Sequence, residues 1–128
     1  MGVILIVEDD MFIRDDADMM IQDLGHATLL ASDVDEALAI LGAGQHIDAL
    51  FTDIYLKTLI LGGYELAHRA IERRPNLRVL YTTGNSINDR TKELFVVGAH
   101  FLQKPYTRFQ LQNSVEVLLA SVAVSPRN

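Results

Sequence analysis

Short apolar runs alternate along the chain with stretches in which apolar residues recur at helical spacing. Val3–Val7 is apolar throughout, which is typical of a strand buried on both faces of a parallel sheet. Four more runs of this kind follow, at Ala27–Ala31, Ala49–Thr52, Leu77–Tyr81 and Ala99–Gln103. The pattern therefore predicts five strands.

A helical segment follows each predicted strand. The predicted helices lie at Ile13–Leu24, Val34–Leu41, Tyr64–Arg74, Ser86–Val97 and Leu111–Val122. Gly25 is expected to end the first helix, and Ser32 with Asp35 has capping-box spacing for the second. The alternation predicts an α/β fold with a doubly wound, five-stranded parallel sheet and helices on both faces.

The length and composition fit a single domain. The chain has 128 residues, of which 49% are hydrophobic, enough to bury a core. We expect one domain over residues 1–128, with a core of about 1–122 and a polar tail at 123–128. Cysteine is absent, which excludes disulfides, thiolate metal sites and a cysteine nucleophile.

The charge is unevenly distributed along the chain. The net charge is −6, and twelve of the seventeen acids lie in residues 1–53, where Arg14 is the only base. A negative net charge argues against general nucleic-acid binding. No apolar run reaches the roughly 20 residues of a membrane span, and the opening run is too short for a signal peptide. We therefore expect a cytoplasmic protein that binds neither nucleic acid nor membrane.

Polar side chains follow four of the five predicted strands. They are Glu8, Asp9 and Asp10 after the first, Asp53 after the third, Thr82 and Thr83 after the fourth, and Lys104 with Pro105 after the fifth. Ligands of open α/β sheets bind beyond the carboxyl ends of the strands. We therefore expect these groups to share one crevice.

Carboxylates that converge in a crevice repel one another unless a cation neutralises them. Oxygen ligands without His or Cys suit Mg²⁺, or the similar Mn²⁺. One carboxylate that stays available can act as a nucleophile in aspartyl-phosphate chemistry, while a hydroxyl and an ammonium hold the phosphoryl oxygens. The residue types therefore predict a site for phosphoryl transfer.

Four motifs carry a resemblance to a known family. Val3–Asp10, Asp48–Asp53, Tyr81–Gly84 and Phe101–Pro105 occur in the order and at nearly the spacing of the receiver domain of two-component response regulators. The chain resembles the single-domain chemotaxis regulators over almost its whole length. The resemblance implies a flavodoxin-like sheet with strand order 2-1-3-4-5.

The resemblance also implies a role for individual residues. Asp53 matches the phosphoacceptor. Asp9 matches the direct metal ligand, Glu8 matches its partner, and the backbone carbonyl of Tyr55 matches a further metal ligand. Thr83 matches the switch hydroxyl, Lys104 matches the lysine of the site, and Phe101 matches the aromatic switch residue. Pro105 matches a proline that often follows a cis bond. No group is assigned to a nucleotide or other organic cofactor.

Simpler interpretations remain open for several of these residues. Asp10 is expected to cap the first helix, and Thr82 to be structural. Phe101 is alternatively a plain core residue, Lys104 a solvated lysine and Asp53 a strand cap. The four histidines show no ligand spacing.

The segment after the third strand departs from the family pattern. Lys57 stands where a proline is expected, Gly63 comes about two residues late, and Leu59–Leu61 is apolar in a loop. Three interpretations compete: the loop folds onto the core, forms an exposed partner contact, or is mobile and weakens the carbonyl ligand at Tyr55. Tyr55 and Asn85 also occupy positions that tune acyl-phosphate lifetime, and a bulky Tyr55 predicts a long-lived phosphoryl group.

The function implied is Mg²⁺-dependent transfer of a phosphoryl group from a phosphohistidine to Asp53, which switches the face of the fourth helix, fifth strand and fifth helix. The partners would be a sensor histidine kinase or histidine phosphotransferase and a downstream protein. The apolar residues near Val96 and Phe101 are consistent with a phosphorylation-dependent homodimer. Such a protein catalyses its own phosphorylation and dephosphorylation without turning over an external substrate, so its status as an enzyme stays open.

Three alternatives stay open. One is a degenerate receiver that acts as an unphosphorylated interaction module. Another is a flavodoxin-like cofactor enzyme, which the clustered carboxylates oppose because they would repel a cofactor phosphate. The chain is also consistent with a receiver excised from a hybrid kinase.

Overall fold

The computed structural model describes residues 1–56 and 62–121. Its strands are β1 (Val3–Val7), β2 (Ala27–Ala31), β3 (Ala49–Asp53), β4 (Arg78–Thr83) and β5 (His100–Gln103). They form one parallel sheet in the order β2-β1-β3-β4-β5. The predicted fold class and strand order are confirmed.

Within residues 1–56 and 62–121, five helices connect or follow the strands. They are α1 (Met11–Gln22), α2 (Val34–Leu41), α3 (Gly62–Arg73), α4 (Asp89–Lys92) and α5 (Arg108–Ala120). Asp10 caps α1 as predicted, because its carboxylate accepts the amides of Phe12 and Ile13. Gly25, with φ at 94°, ends the turn after α1 in a conformation that favours glycine. In the described part of the chain, no helix is long and apolar enough to cross a membrane.

Two apolar clusters lie on opposite faces of the sheet. Residues of α2 and α3 pack on one face, against side chains that include Leu5, Leu50 and Tyr81. Residues of α1 and α5 pack on the other, against side chains that include Ile6, Phe51 and Leu80. The central strands β1 and β3 are covered on both faces, which explains their continuous apolar sequence.

Two local predictions are wrong. The helix predicted at Ser86–Val97 is only the single turn α4, and the chain from Glu93 to Ala99 is not helical. The amide of Val96, which a longer helix would direct to its own carbonyls, donates to the hydroxyl of Tyr81 at 3.2 Å. A tertiary contact thus overrides the helical pattern.

The capping box predicted for α2 from Ser32 and Asp35 is not formed. Asp33, not Ser32, is the N-cap, and its carboxylate accepts the amide of Glu36 at 2.8 Å. Glu36, not Asp35, reaches back to accept the amide of Ser32 at 2.6 Å. Because Glu36 bonds the residue before the N-cap and not the N-cap amide itself, the two bonds do not make a capping box.

Candidate phosphoacceptor site

Three carboxylates meet at the carboxyl edge of the sheet. Glu8 and Asp9 follow β1, and Asp53 ends β3, the strand paired with β1. Glu8, Asp9 and Asp53 each offer an oxygen within 4.8 Å of the others. Glu8 and Asp53 are buried, and Asp9 is half-buried. The predicted convergence of acids is therefore present.

Lys104 lies between two of these acids. Its Nζ is 2.7 Å from Glu8 Oε1 and 3.0 Å from Asp53 Oδ2. Its side chain is only 17% exposed, so the solvated-lysine interpretation is wrong. The Lys104–Pro105 peptide bond is cis. The ammonium supplies positive charge at the point where the acidic half of the sequence brings its carboxylates together.

Burial governs the protonation of these groups. Desolvation raises the pKa of Asp53 above its usual value, against the lowering effect of the Lys104 ammonium. Desolvation likewise raises the pKa of Glu8, against the hydrogen bond from Lys104. Desolvation alone would lower the pKa of Lys104, but its bonds to Glu8 and Asp53 raise it overall. The site therefore holds the carboxylates close together, and the single ammonium of Lys104 neutralises only part of their negative charge.

Contacts in the turn after β1 hold Glu8 in place. Glu8 Oε2 accepts the amide of Asp10 at 3.0 Å, so the acid braces the residue that caps α1. Arg14 donates from its guanidinium to the backbone carbonyl of Glu8 at 3.0 Å. No role is predicted for Arg14 from the sequence, although it is the only base beside the twelve acids of residues 1–53, which is the signal that marks it.

Thr83 lies across the crevice at the end of β4. It is 1% exposed, and its Oγ1 accepts the amide of Asn85 at 3.2 Å. Its backbone carbonyl accepts the amide of Lys104 at 2.9 Å and the side-chain amide of Gln103 at 2.9 Å. Gln103, whose contacts the sequence did not predict, also donates to the carbonyl of Asn85 at 3.3 Å. These bonds tie the Thr83 loop to the Lys104 loop.

The segment after β3 approaches the site from the other side. The backbone amide of Tyr55 donates to the Asp53 carboxylate and so favours its ionised form. Ile54 and Leu56 are buried in the core, which fits a chain that turns inward as it leaves the strand. The departures noted at Lys57 and at Leu59–Leu61 lie outside the described residues. Gly63 lies in the first turn of α3, and its amide donates to the carbonyl of Ile54 at 2.9 Å.

Phe101 lies farther from the acids, on β5. It is half-buried and packs at the border of the core that faces α2 and α3. Its ring centroid is 6.1 Å from that of Phe95. The structure thus brings Glu8, Asp53 and Lys104 into direct contact and sets Phe101 beside the irregular segment after α4.

The donor set fits a hard divalent cation. Clustered carboxylate oxygens without nitrogen or sulfur ligands match the preference of Mg²⁺. The raised pKa values of Glu8 and Asp53 reflect negative charge in a partly desolvated crevice, which a cation would stabilise. Glu8, Asp9 and Asp53 are therefore able to hold such an ion.

Comparison with known proteins agrees with this geometry. The family model of the response regulator receiver domain matches residues 4–116. A response regulator receiver protein from Sinorhizobium medicae has a similar structure, with a TM-score of 0.85 and 28% identity over 94% of this chain and 95% of that one. The receiver domain of the hybrid histidine kinase CckA aligns with a TM-score of 0.76 and 29% identity, over 92% of this chain and 99% of that one.

A longer protein also contains a similar domain. NtrX from Brucella abortus, solved in complex with ATP, aligns with a TM-score of 0.82 and 30% identity. The alignment covers 92% of this chain but only 27% of NtrX, so the likeness concerns one domain of that protein. With the family model matched over most of its length, the chain belongs to the response regulator receiver domain family of two-component signalling, whose members accept a phosphoryl group.

Proposed function

We propose that this protein accepts a phosphoryl group on Asp53 from a phosphohistidine, with Mg²⁺ bound by its acidic cluster. The observation that carries the proposal is the contact of Lys104 Nζ with Asp53 Oδ2 at 3.0 Å. It sets a largely buried cation against the carboxylate that would be phosphorylated, and the same ammonium lies 2.7 Å from Glu8 Oε1. Positioning and charge neutralisation are the main requirements of phosphoryl transfer.

The chemical step forms one bond and breaks another. A carboxylate oxygen of Asp53 attacks the phosphorus of the phosphohistidine, and the phosphorus–nitrogen bond breaks as the acyl phosphate forms. The leaving imidazole takes up a proton from solvent. Since the attacking carboxylate must be ionised, the Tyr55 amide and the Lys104 ammonium assist by favouring that form.

Bound Mg²⁺, Lys104 and Thr83 would each contact oxygens of the phosphoryl group and offset their negative charge. Glu8, Asp9, Asp53 and the backbone carbonyl of Tyr55 are the proposed metal ligands, and bound Mg²⁺ would neutralise charge on the transferring oxygens. Lys104 donates to a phosphoryl oxygen from its own side of the crevice. Thr83 Oγ1 moves toward Asp53 and donates to another.

Loss of the phosphoryl group completes the cycle. A water molecule attacks the phosphorus, the acyl phosphate bond breaks, and Asp53 returns as a carboxylate with inorganic phosphate. Tyr55 is only two residues from Asp53 and half-buried. Its bulk hinders the approach of water, which supports a long-lived phosphoryl group.

The movement of Thr83 changes the surface of the protein, so that other proteins can distinguish its phosphorylated form. Phe101 follows Thr83 inward, and the face built by α4, β5 and α5 changes shape. A cytoplasmic sensor histidine kinase or histidine phosphotransferase donates the phosphoryl group, and a downstream protein or a second copy of this chain binds the altered face. CckA and NtrX, which contain similar domains, fit a role in two-component signalling.

Incubation with acetyl phosphate and Mg²⁺ tests the proposal. Intact-mass measurement is expected to show the gain of one phosphoryl group in the wild type and none in Asp53→Asn. Asp16→Asn is the matched control, because Asp16 is an exposed acid of α1 outside the cluster. The absence of a mass gain in the wild type would instead indicate an unphosphorylated interaction module.

A further inference from the structure

Tyr81 lies directly beside the proposed switch residue. Tyr81 and Phe101 are register partners across β4 and β5. Alternate residues of a strand face the same side of a sheet, so Tyr81 also shares a face with Thr83, two residues farther along β4. Tyr81 is thus adjacent in the sheet to both residues whose movement would follow phosphorylation.

The ring of Tyr81 belongs to a cluster of four aromatic side chains. Its centroid is 4.5 Å from that of Phe95 and 5.3 Å from that of Tyr64, and the Phe95 centroid is 6.1 Å from that of Phe101. Protein interiors are packed so densely that the displacement of one side chain is transmitted to the side chains in contact with it. An inward movement of Phe101 therefore disturbs the packing of Phe95 on Tyr81.

The hydroxyl of Tyr81 binds the segment that carries Phe95. The buried amide of Val96 donates to Tyr81 Oη at 3.2 Å. Burial raises the pKa of Tyr81 to about 12, so the hydroxyl stays neutral and able to accept this bond. His68 on α3 adds a second attachment, because its Nε2 donates to the carbonyl of Leu94 at 2.9 Å.

This segment, residues 93–97, also contributes to the exposed surface. Leu94 is 40% exposed and Val97 is 79% exposed, on either side of the half-buried Phe95 and the buried Val96. Since α4 is a single turn, the position of these two apolar side chains depends on the attachments of the segment rather than on a long helix.

We propose that the Tyr81–Val96 hydrogen bond holds residues 93–97 in the unphosphorylated arrangement and breaks when Thr83 and Phe101 move. The release repositions Leu94 and Val97 and so alters the surface offered to a partner. Tyr81 is a positioning residue, since it acts through the segment and not on the phosphoryl group. This inference rests on the proposed phosphorylation of Asp53.

Removal of the bond is expected to favour the phosphorylated arrangement. A bond present in only one of two states shifts their equilibrium by its own free energy, and the phosphorylation reaction is linked to that equilibrium. Tyr81→Phe should therefore accept a phosphoryl group from acetyl phosphate faster than the wild type, by roughly two- to tenfold for one neutral hydrogen bond. A variant that was merely damaged would react more slowly.

Tyr64→Phe is the matched control. Tyr64 is in the same aromatic cluster, and its buried hydroxyl has no hydrogen-bond partner among the residues that the structure describes. The control removes the same atom from the same kind of ring without removing a bond. It is expected to react at the rate of the wild type.

Amide hydrogen exchange at Val96 tests the bond directly. In the unphosphorylated wild type this amide should be protected, and Tyr81→Phe should speed its exchange by roughly two- to tenfold. Phosphorylation of the wild type should raise the exchange rate by a similar factor. Intact mass, measured on the same samples, reports whether Asp53 has been modified.

The outcomes separate this inference from the function on which it rests. A wild type that gains no phosphoryl group contradicts the proposed function and the inference with it. A mass gain with unchanged Val96 exchange overturns the inference alone. Equal reaction rates of Tyr81→Phe and Tyr64→Phe also overturn it.

Discussion

Gly63 lies in van der Waals contact with the backbone of Ile54, so that the first turn of α3 packs against the end of β3. A Cβ atom at Gly63 would lie 2.7 Å from Ile54 Cα and would also overlap the carbonyl of Asp53. The amide of Gly63 donates to the carbonyl of Ile54 at 2.9 Å. The contact brings the start of α3 back to the end of β3, the strand that carries the proposed phosphoacceptor Asp53.

Gly63→Ala is expected to destabilise the fold by about 1–3 kcal/mol, because the overlapping atoms are backbone and cannot rotate away. Phosphorylation of Asp53 should slow as well, since the displaced backbone carries that residue. Urea unfolding and acetyl phosphate kinetics measure the two effects. Gly84→Ala is the control for stability, because nothing lies within 4 Å of the added Cβ. Equal free energies of unfolding in the two variants would contradict the steric account.

Lys104→Met should destabilise the metal-free protein at neutral pH by about 3 kcal/mol, because it leaves two buried carboxylates without their cation. The loss should diminish with added Mg²⁺, and phosphorylation should remain slow even then. Arg108→Met is the matched control: Arg108 pairs with Asp23 at 2.6 Å, but both side chains are about half exposed. Exposed pairs contribute roughly 0–1 kcal/mol. A loss for Lys104→Met no larger than that of the control would argue against a buried ion pair.

Asp53→Asn should change how stability depends on pH. Because the folded pKa of Asp53 is raised, its contribution to stability is complete below the unfolded pKa and is lost as pH rises through the folded pKa. The variant has no carboxyl at this position, so it does not lose stability in this way as pH rises. Lys104 stays bonded to Glu8. Without divalent ions it should therefore have the higher melting temperature at pH 7, with the difference shrinking toward pH 4. A wild type that melts higher at pH 7 would count against the raised pKa.

Asp48→Asn provides a comparison of opposite sign. Burial opposes ionisation of Asp48, but hydrogen bonds from the Val3 amide and His46 lower its pKa overall. Its contribution is present above the unfolded pKa and is lost as pH falls through the folded pKa. The Asn variant should be less stable than the wild type at pH 7 and approach it at low pH.

Asp9→Asn should weaken Mg²⁺ binding and slow phosphorylation together. It removes one of the three clustered carboxylates and, with it, a charge that raises the pKa of Asp53. The metal-free fold should be slightly stabilised, because repulsion within the crevice is relieved. Mg²⁺ titration and thermal unfolding in chelator give the two measurements. A clear fall in the metal-free melting temperature would be inconsistent with repulsion among these acids.

Tyr55→Asn should shorten the lifetime of the acyl phosphate, because a smaller side chain leaves more room for the attacking water. The decay of the phosphorylated species after removal of the phosphodonor, followed by intact mass, measures the lifetime. The phosphorylation rate of the same variant serves as its internal control, since access of the donor can change too. An unchanged decay rate would show that Tyr55 does not shield the phosphoryl group.

Local sequence accounts for much of this architecture. β1 and β2 have the predicted bounds, and Asp10 caps α1 as its side chain implies. Continuous apolar runs specify strands buried on both faces, and caps act over a few residues. The bounds of β4 differ by one or two residues, since it continues to Thr83. Such signals are local, so the sequence alone conveys them.

The prediction from sequence is wrong where contacts with a distant residue determine the backbone conformation. Ser86–Val97 has a weak helical pattern, but Phe95 and Val96 are drawn into contacts with Tyr81, and the helix stops after one turn. No pattern within that segment records the hydroxyl of a residue on another strand. Tertiary packing decides such segments because their helical propensity is marginal.

For the candidate site, too, some features follow from the sequence and others only from the tertiary structure. The sequence by itself determined which polar residues follow which strands, and hence that Glu8, Asp9, Asp53, Thr83 and Lys104 share one edge of the sheet. Only the tertiary structure decided that Lys104, far from both acids along the chain, lies between Glu8 and Asp53. It also decided the burial that raises the pKa of both carboxyls, because desolvation depends on all the atoms packed around a group and not on its neighbours in sequence.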